Sequence, residues 1–157
     1  MEMRQYVVGL LKDYNRMKQE IQFLQFELER ASVKEDGELI EAMTFSSSCG
    51  QRMRGSNVSD QTPAIALNYD KAHAQMLHDL SAQLQELKAT VSRLDFYIDQ
   101  LEAHHASLLR DYYFECYSWR ELQDIRGVTS KTLMKHRDDA IRALSMKYES
   151  IRRIGLI

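Results

Sequence analysis

From Ala64 to Gly127 neither Pro nor Gly interrupts the chain. Within that stretch apolar residues return at alternating steps of three and four: Leu77, Leu80, Leu84, Leu87, Val91, Leu94, Ile98 and Leu101, with His105 and Leu108 continuing the row. Such a row is the a/d seam of a coiled-coil helix, and a helix carrying it needs a partner to remove the seam from water. A second seam occupies residues 2–31, through Val7, Leu10, Tyr14, Met17, Ile21, Leu24, Leu28 and Ala31. At 1.5 Å per residue that helix is roughly 45 Å long. Phe23 and Phe26 lie off its seam and widen the apolar face. Two seams in a chain with one Pro and six Gly predict an all-α protein.

Between the seams the repeat lapses. Gly37, the Ser46-Ser47-Ser48 run, Gly50, Gly55 and Asn57 predict a loop or linker over 32–62, with room for a short helix around Glu38–Thr44. Its Gln51-Arg52-Met53-Arg54-Gly55-Ser56 phrase is basic, which reads as a solvated linker or as a contact to DNA phosphates or RNA polymerase. Thr62-Pro63 starts the next helix, since Thr caps well and Pro loses nothing at the first helical position. The expected organisation is an N-terminal coiled-coil helix (1–31), a linker (32–62), a long coiled-coil helix (63–102) and a C-terminal helical domain (103–157). A linker long enough to reverse the chain makes antiparallel pairing of the seams the simplest arrangement. Pairing between chains is the alternative, and the off-seam Phe residues point to a homodimer.

The most informative local pattern is Trp119–Leu144. Ser118 and Glu121 stand at the spacing of a capping box. Trp119, Leu122 and Ile125 form the apolar side of a short helix. Gly127 supplies the left-handed backbone a helix end requires. Val128 plugs the corner, and Thr129 caps a further helix with Leu133, Ala140, Ile141 and Leu144 facing inward. A short helix, a Gly turn and a second helix with a polar, basic first turn is a helix-turn-helix, the layout that seats a recognition helix in a DNA major groove. Leu108, Leu109, Tyr112, Tyr113, Phe114 and Tyr117, with Trp119, are the expected core beneath it, and a break is expected near Cys116–Ser118.

Charge agrees with this reading once it is divided along the chain. The net charge is −2, but residues 118–157 hold nine Lys/Arg and five Asp/Glu, whereas residues 1–117 hold twelve and eighteen. A basic end on an acidic body suits DNA binding by the C-terminus alone. The expected contacts are Arg120, Thr129, Ser130, Lys131, Thr132, Met134, Lys135, Arg137 and, more weakly, Arg142. Lys131, Lys135 and Arg137 would donate to guanine edges or phosphates, and Arg120 would hold the backbone. Arg152 and Arg153 could meet the backbone, while Ile151, Ile154, Leu156 and Ile157 could dock on a partner.

Other residues carry little chemistry. His104 and His105 are adjacent, so their rings are expected on different helix faces, and His73 and His78 lack a metal-pair spacing. His136 is read as an inner-edge histidine, and Asp138-Asp139 as a solvent-facing acidic pair. The residues show no nucleophile motif, phosphate loop or metal set, so neither an enzyme nor a cofactor is expected. Cys49 and Cys116 make no disulfide framework, and the chain shows neither a signal pattern nor a membrane-length apolar run, so a cytoplasmic setting is expected.

The segment Leu94–Leu144 resembles region 4 of bacterial sigma-70-type factors, through Glu121-Leu122, Gly127-Val128-Thr129, Leu133, Ala140-Ile141 and Leu144. More narrowly, the chain is similar to the sigma-region-4-like regulators of Gram-positive phages and prophages, the ArpU and RinA type. That similarity rests on the N-terminal helix, the phrase Met53–Thr62, and Leu94-Asp95-Phe96-Tyr97-Ile98-Asp99 leading into the Trp119 helix. The pattern departs at Gln123, where a small Ala is usual, and at Arg126, where an apolar residue is usual, with Ile125 expected to take over. The resemblance implies binding to promoter DNA and activation of phage late genes together with host RNA polymerase. Two other classes stay open: a phage DNA-packaging subunit of the small-terminase kind, and a protein-interaction module that binds RNA polymerase.

Overall fold

The computed structural model describes residues 2–46 and 61–155, with side chains over 2–31 and 71–155. Every regular element among the described residues is a helix: α1 (Met3–Ser46), α2 (Gln61–Asp99), α3 (Ala103–Leu109), a π-helical turn (Arg110–Phe114), α4 (Trp119–Arg126) and α5 (Ser130–Ile154). No described helix is long and apolar enough to cross a membrane. The basic phrase at 51–54, Cys49, Leu156 and Ile157 lie outside the described residues.

The expected linker is shorter at both ends than 32–62. α1 continues through Gly37 to Ser46, and α2 begins at Gln61. One interior Gly costs a helix only about 1 kcal/mol, and the Lys, Glu, Leu, Ala and Met residues around it are good helix formers. A break that no Gly or Pro announced separates α2 from α3. Gln100 and Leu101 close the last turn of α2 with bonds to the carbonyls of Phe96 (3.2 Å) and Ile98 (3.0 Å), and Glu102 turns extended, at φ −59° and ψ 141°. Arg110 bonds Asp99 across this corner.

The chain divides into two compact units, one made of Met1–Glu20 with Leu87–Ile157, the other of Ile21–Glu86. In the second unit Leu24 and Leu84 are buried, while Phe23 and Phe26 are exposed at 61% and 55%. Arg30 covers part of the Phe26 ring, its guanidinium 5.7 Å from the centroid.

The first unit holds most of the buried core. Seam residues Val7, Tyr14, Met17, Val91, Leu94 and Ile98 are buried, together with Leu11. To these α3 adds Ala106, Leu108 and Leu109, α4 adds Leu122, and α5 adds Leu133, Ala140, Ile141, Leu144 and Tyr148. Tyr148 sits edge-on to Tyr6 and Tyr97, at 6.0 and 5.2 Å between ring centroids. Burial pushes its hydroxyl strongly upward, and that hydroxyl has no hydrogen-bond partner among the described residues.

The π-helical turn is one of the places where α1 meets the C-terminal part of the chain. Its wider register shows in the bond from Glu115 N–H to the Arg110 carbonyl (3.0 Å). Tyr14 stacks on Phe114 at 3.5 Å, nearly parallel at 12°. Tyr14 also donates to Asp95 (3.2 Å), and the Asn15 amide donates to the Phe114 carbonyl (2.9 Å). Cys116 then enters the left-handed region (φ 57°), which ends the turn at the break expected there. Of the expected aromatic core, Tyr117 is instead 40% exposed.

Candidate nucleic-acid interface

α4 begins with the capping box its sequence spells. Ser118 Oγ accepts from Glu121 N–H (3.3 Å), and the Glu121 carboxylate accepts from Ser118 N–H (2.8 Å). The bond from the Ser118 hydroxyl, followed by the one from its backbone, holds the Glu121 carboxyl below its ordinary range. Leu122 is fully buried against Leu108 and Leu133, with Tyr112, Trp119 and Val128 packed around that cluster. Trp119 stacks on Tyr112 with centroids 4.4 Å apart.

Ile125, expected on the inner side of α4, is 62% exposed. The inward position belongs to Arg126, one turn beyond Leu122. Its guanidinium donates to Asp111 (2.6 Å) and to Ser107 Oγ (2.8 Å). Arg126, where an apolar residue was expected, is thus a polar bolt from the end of α4 to α3 and the π turn.

The corner forms at Gly127 (φ 63°), whose N–H bonds the Gln123 carbonyl at 2.8 Å. Thr129 caps α5 by accepting from Thr132 N–H (3.3 Å), and the two hydroxyls lie 3.0 Å apart. Leu133, Ala140, Ile141 and Leu144 face inward as expected, each no more than 2% exposed.

The outward side of α5 follows from helical geometry. At about 100° per residue, Lys131, Met134 and Lys135 share one face, and Leu133 lies on the opposite side. All three are exposed, as are Arg120 and Thr129, while Ser130 and Thr132 are half-buried. No ion pair among the described residues engages Arg120, Lys131 or Lys135. Arg142 continues the same stripe about 16 Å along the helix, pairing with Asp139 at 3.7 Å.

Arg137 is placed differently. Its guanidinium lies 5.4 Å from the Trp119 ring centroid and bonds Asp138 at 3.0 Å. Asp138, expected to face solvent, is half-buried and also pairs with Arg4 of α1 (3.3 Å). α1 therefore meets α5 at Asp138 in the third turn and again at Tyr148, while Lys131, Met134 and Lys135 on the outer side of the first two turns are exposed.

A second cluster lies behind α5. The rings of His104 and His105 do not diverge but lie 3.9 Å apart, tilted by 44°. The Glu102 carboxylate is 3.5 Å from His104 Nδ1 and 3.9 Å from His105 Nδ1. His136 approaches from α5, 5.6 Å from the His104 ring and 6.4 Å from the His105 ring. Burial first, and then the neighbouring His104, lowers the His105 pKa. Only the packing of α3 on α5 makes this grouping, so no spacing in the sequence announced His136 as a member.

No family model, no curated protein and no solved structure matches the chain.

Proposed function

We propose that the chain is a sequence-specific DNA-binding transcription regulator of the sigma-70 region 4 type, acting as a phage or prophage late-gene activator with host RNA polymerase. The observation that carries this reading is the pair Lys131 and Lys135, flanking Met134 on the exposed outer side of the first two turns of a helix that follows a capped Gly corner. On this reading those turns enter the major groove. Lys131 and Lys135 donate to guanine edges or phosphates, the Met134 side chain packs on base edges, and Thr129 with Ser130 bonds phosphate at the helix start. Arg120 and Arg142 hold the backbone to either side. Arg137 serves chiefly to fix α5 on Trp119, with DNA contact secondary.

The two seams, on this reading, form a coiled-coil hairpin carrying the helix-turn-helix. The exposed Phe23 and Phe26 support closure of a homodimer through that part, which would set the spacing of two half-sites.

The test is selection of bound fragments from random double-stranded DNA by the full-length protein, followed by anisotropy titration at fixed salt. Lys131→Ala with Lys135→Ala should weaken binding well beyond tenfold, since each good base contact contributes about 1–3 kcal/mol. Both side chains are exposed, so the helical circular dichroism should not change. Unchanged affinity in the double variant would overturn the proposal.

A further inference from the structure

We propose that Glu102, His104, His105 and His136 form a binding site for a divalent transition-metal ion of the zinc class. Donor atoms of Glu102, His104 and His105 already lie within 4.8 Å of one another. One carboxylate faces the Nδ1 atoms of both histidines. The third imidazole, of His136, stands just outside that group and has to close in by roughly 1 Å to share an ion. With Zn–N bonds of about 2.0–2.1 Å, two imidazoles on one zinc hold their ring centroids roughly 5 Å apart. The separations to His136 are 5.6 and 6.4 Å. The His104–His105 pair, at 3.9 Å, has to open by roughly 1 Å to share an ion. The His104 side chain is 50% exposed and has room to do so.

The donor set decides the class of ion. Imidazole nitrogens with one carboxylate suit zinc, cobalt, nickel or copper, whereas calcium and magnesium require oxygen donors throughout. Glu102 is 74% exposed and gives an ion a path from solvent, while His105, at 15%, anchors the inner side. Three of the chain's five histidines gather here from two helices. A bound ion would join the start of α3 to the second turn of α5, bracing from behind the helix whose outer side carries Lys131 and Lys135. The site itself needs no DNA.

The test is calorimetric titration of the reduced full-length protein with zinc alone and, separately, magnesium alone. Zinc should saturate at one ion per chain and raise the thermal midpoint, and magnesium should do neither. His104→Gln with His105→Gln should weaken zinc binding by about 100-fold or more, and His136→Gln by about tenfold or more. A control carrying Cys49→Ser, Cys116→Ser, His73→Gln and His78→Gln should stay within about twofold of the parent. Cobalt should give visible bands without a thiolate charge-transfer band. Absence of saturable zinc binding below about 100 µM, or affinity unmoved by His136→Gln in a variant with parental circular dichroism, would overturn the proposal. Neither result depends on whether the protein binds DNA.

Discussion

Replacing Arg126 tests how the helix-turn-helix is fastened to its support. The guanidinium donates to Asp111 at 2.6 Å and to Ser107 Oγ at 2.8 Å, with the two charged side chains only 21% and 30% exposed. Its bond to the His104 carbonyl, at 3.5 Å, is too long to add much. An exposed ion pair contributes about 0–1 kcal/mol, and breaking a fully buried one costs about 3–5. This pair lies between those limits, so Arg126→Ala should cost about 2–3 kcal/mol. For a chain of 157 residues that lowers the melting temperature by about 4–12 °C. The assay is urea unfolding of the full chain in a double-mutant cycle with Asp111→Ala. A coupling energy of about 1–2 kcal/mol is expected, little reduced by high salt because water reaches the pair poorly. Arg126→Leu alone should destabilise, because it strands the Asp111 carboxylate, whereas Arg126→Leu with Asp111→Leu should recover much of the loss. Coupling below about 0.5 kcal/mol would refute the view that this pair is the fastening.

Two further predictions concern the corner and the aromatic contact. Gly127→Ala should cost about 1–2 kcal/mol by chemical denaturation, all of it backbone, since a Cβ there meets nothing within 4 Å, and Gly127→Asn should cost less. A neutral Ala variant would show that the left-handed turn does not hold the corner. The Tyr14 hydroxyl is pushed up to about 12 by burial and then by its bond to Asp95 and that residue's charge. The folded chain therefore keeps a proton that the unfolded chain releases near pH 10, so stability is full below pH 10 and falls by about 2–3 kcal/mol as pH rises to 12. Tyr14→Phe should flatten that fall, leaving the part owed to Tyr113 and Tyr148, which are raised as well. An unchanged alkaline slope in unfolding free energy would count against the contact.

What the sequence made legible is what short offsets encode. Val7, Tyr14, Leu94 and Ile98 are buried because a seam repeating every three or four residues can serve only one side of a helix. Ser118 with Glu121, Gly127, and Thr129 with Thr132 were readable because a cap or a corner is settled within four residues. The misread features are tertiary. Ile125 and Arg126 are both plausible inward residues of α4, and only the position of Asp111 decides between them. The α2–α3 corner carries no Gly or Pro, and the Arg110–Asp99 bond spans it. Asp138 looked like surface until Arg4 arrived from the other end of the chain. At the candidate DNA surface, local pattern placed Lys131, Met134 and Lys135 outside correctly, but it could not see Arg137 lying against Trp119.

The clasp of Asn15 on the Phe114 carbonyl joins residues 99 positions apart. Contacts that distant slow folding, because a long loop must close before they form. During synthesis the opening segment leaves the ribosome well ahead of everything it will grip. Tyr6, edge-on to Tyr148 in the finished molecule, cannot meet that ring until α5 has been made. Assembly on the ribosome is therefore expected to finish at the beginning of the chain, and a fragment cut to the C-terminal helices alone would lack the piece that closes its core.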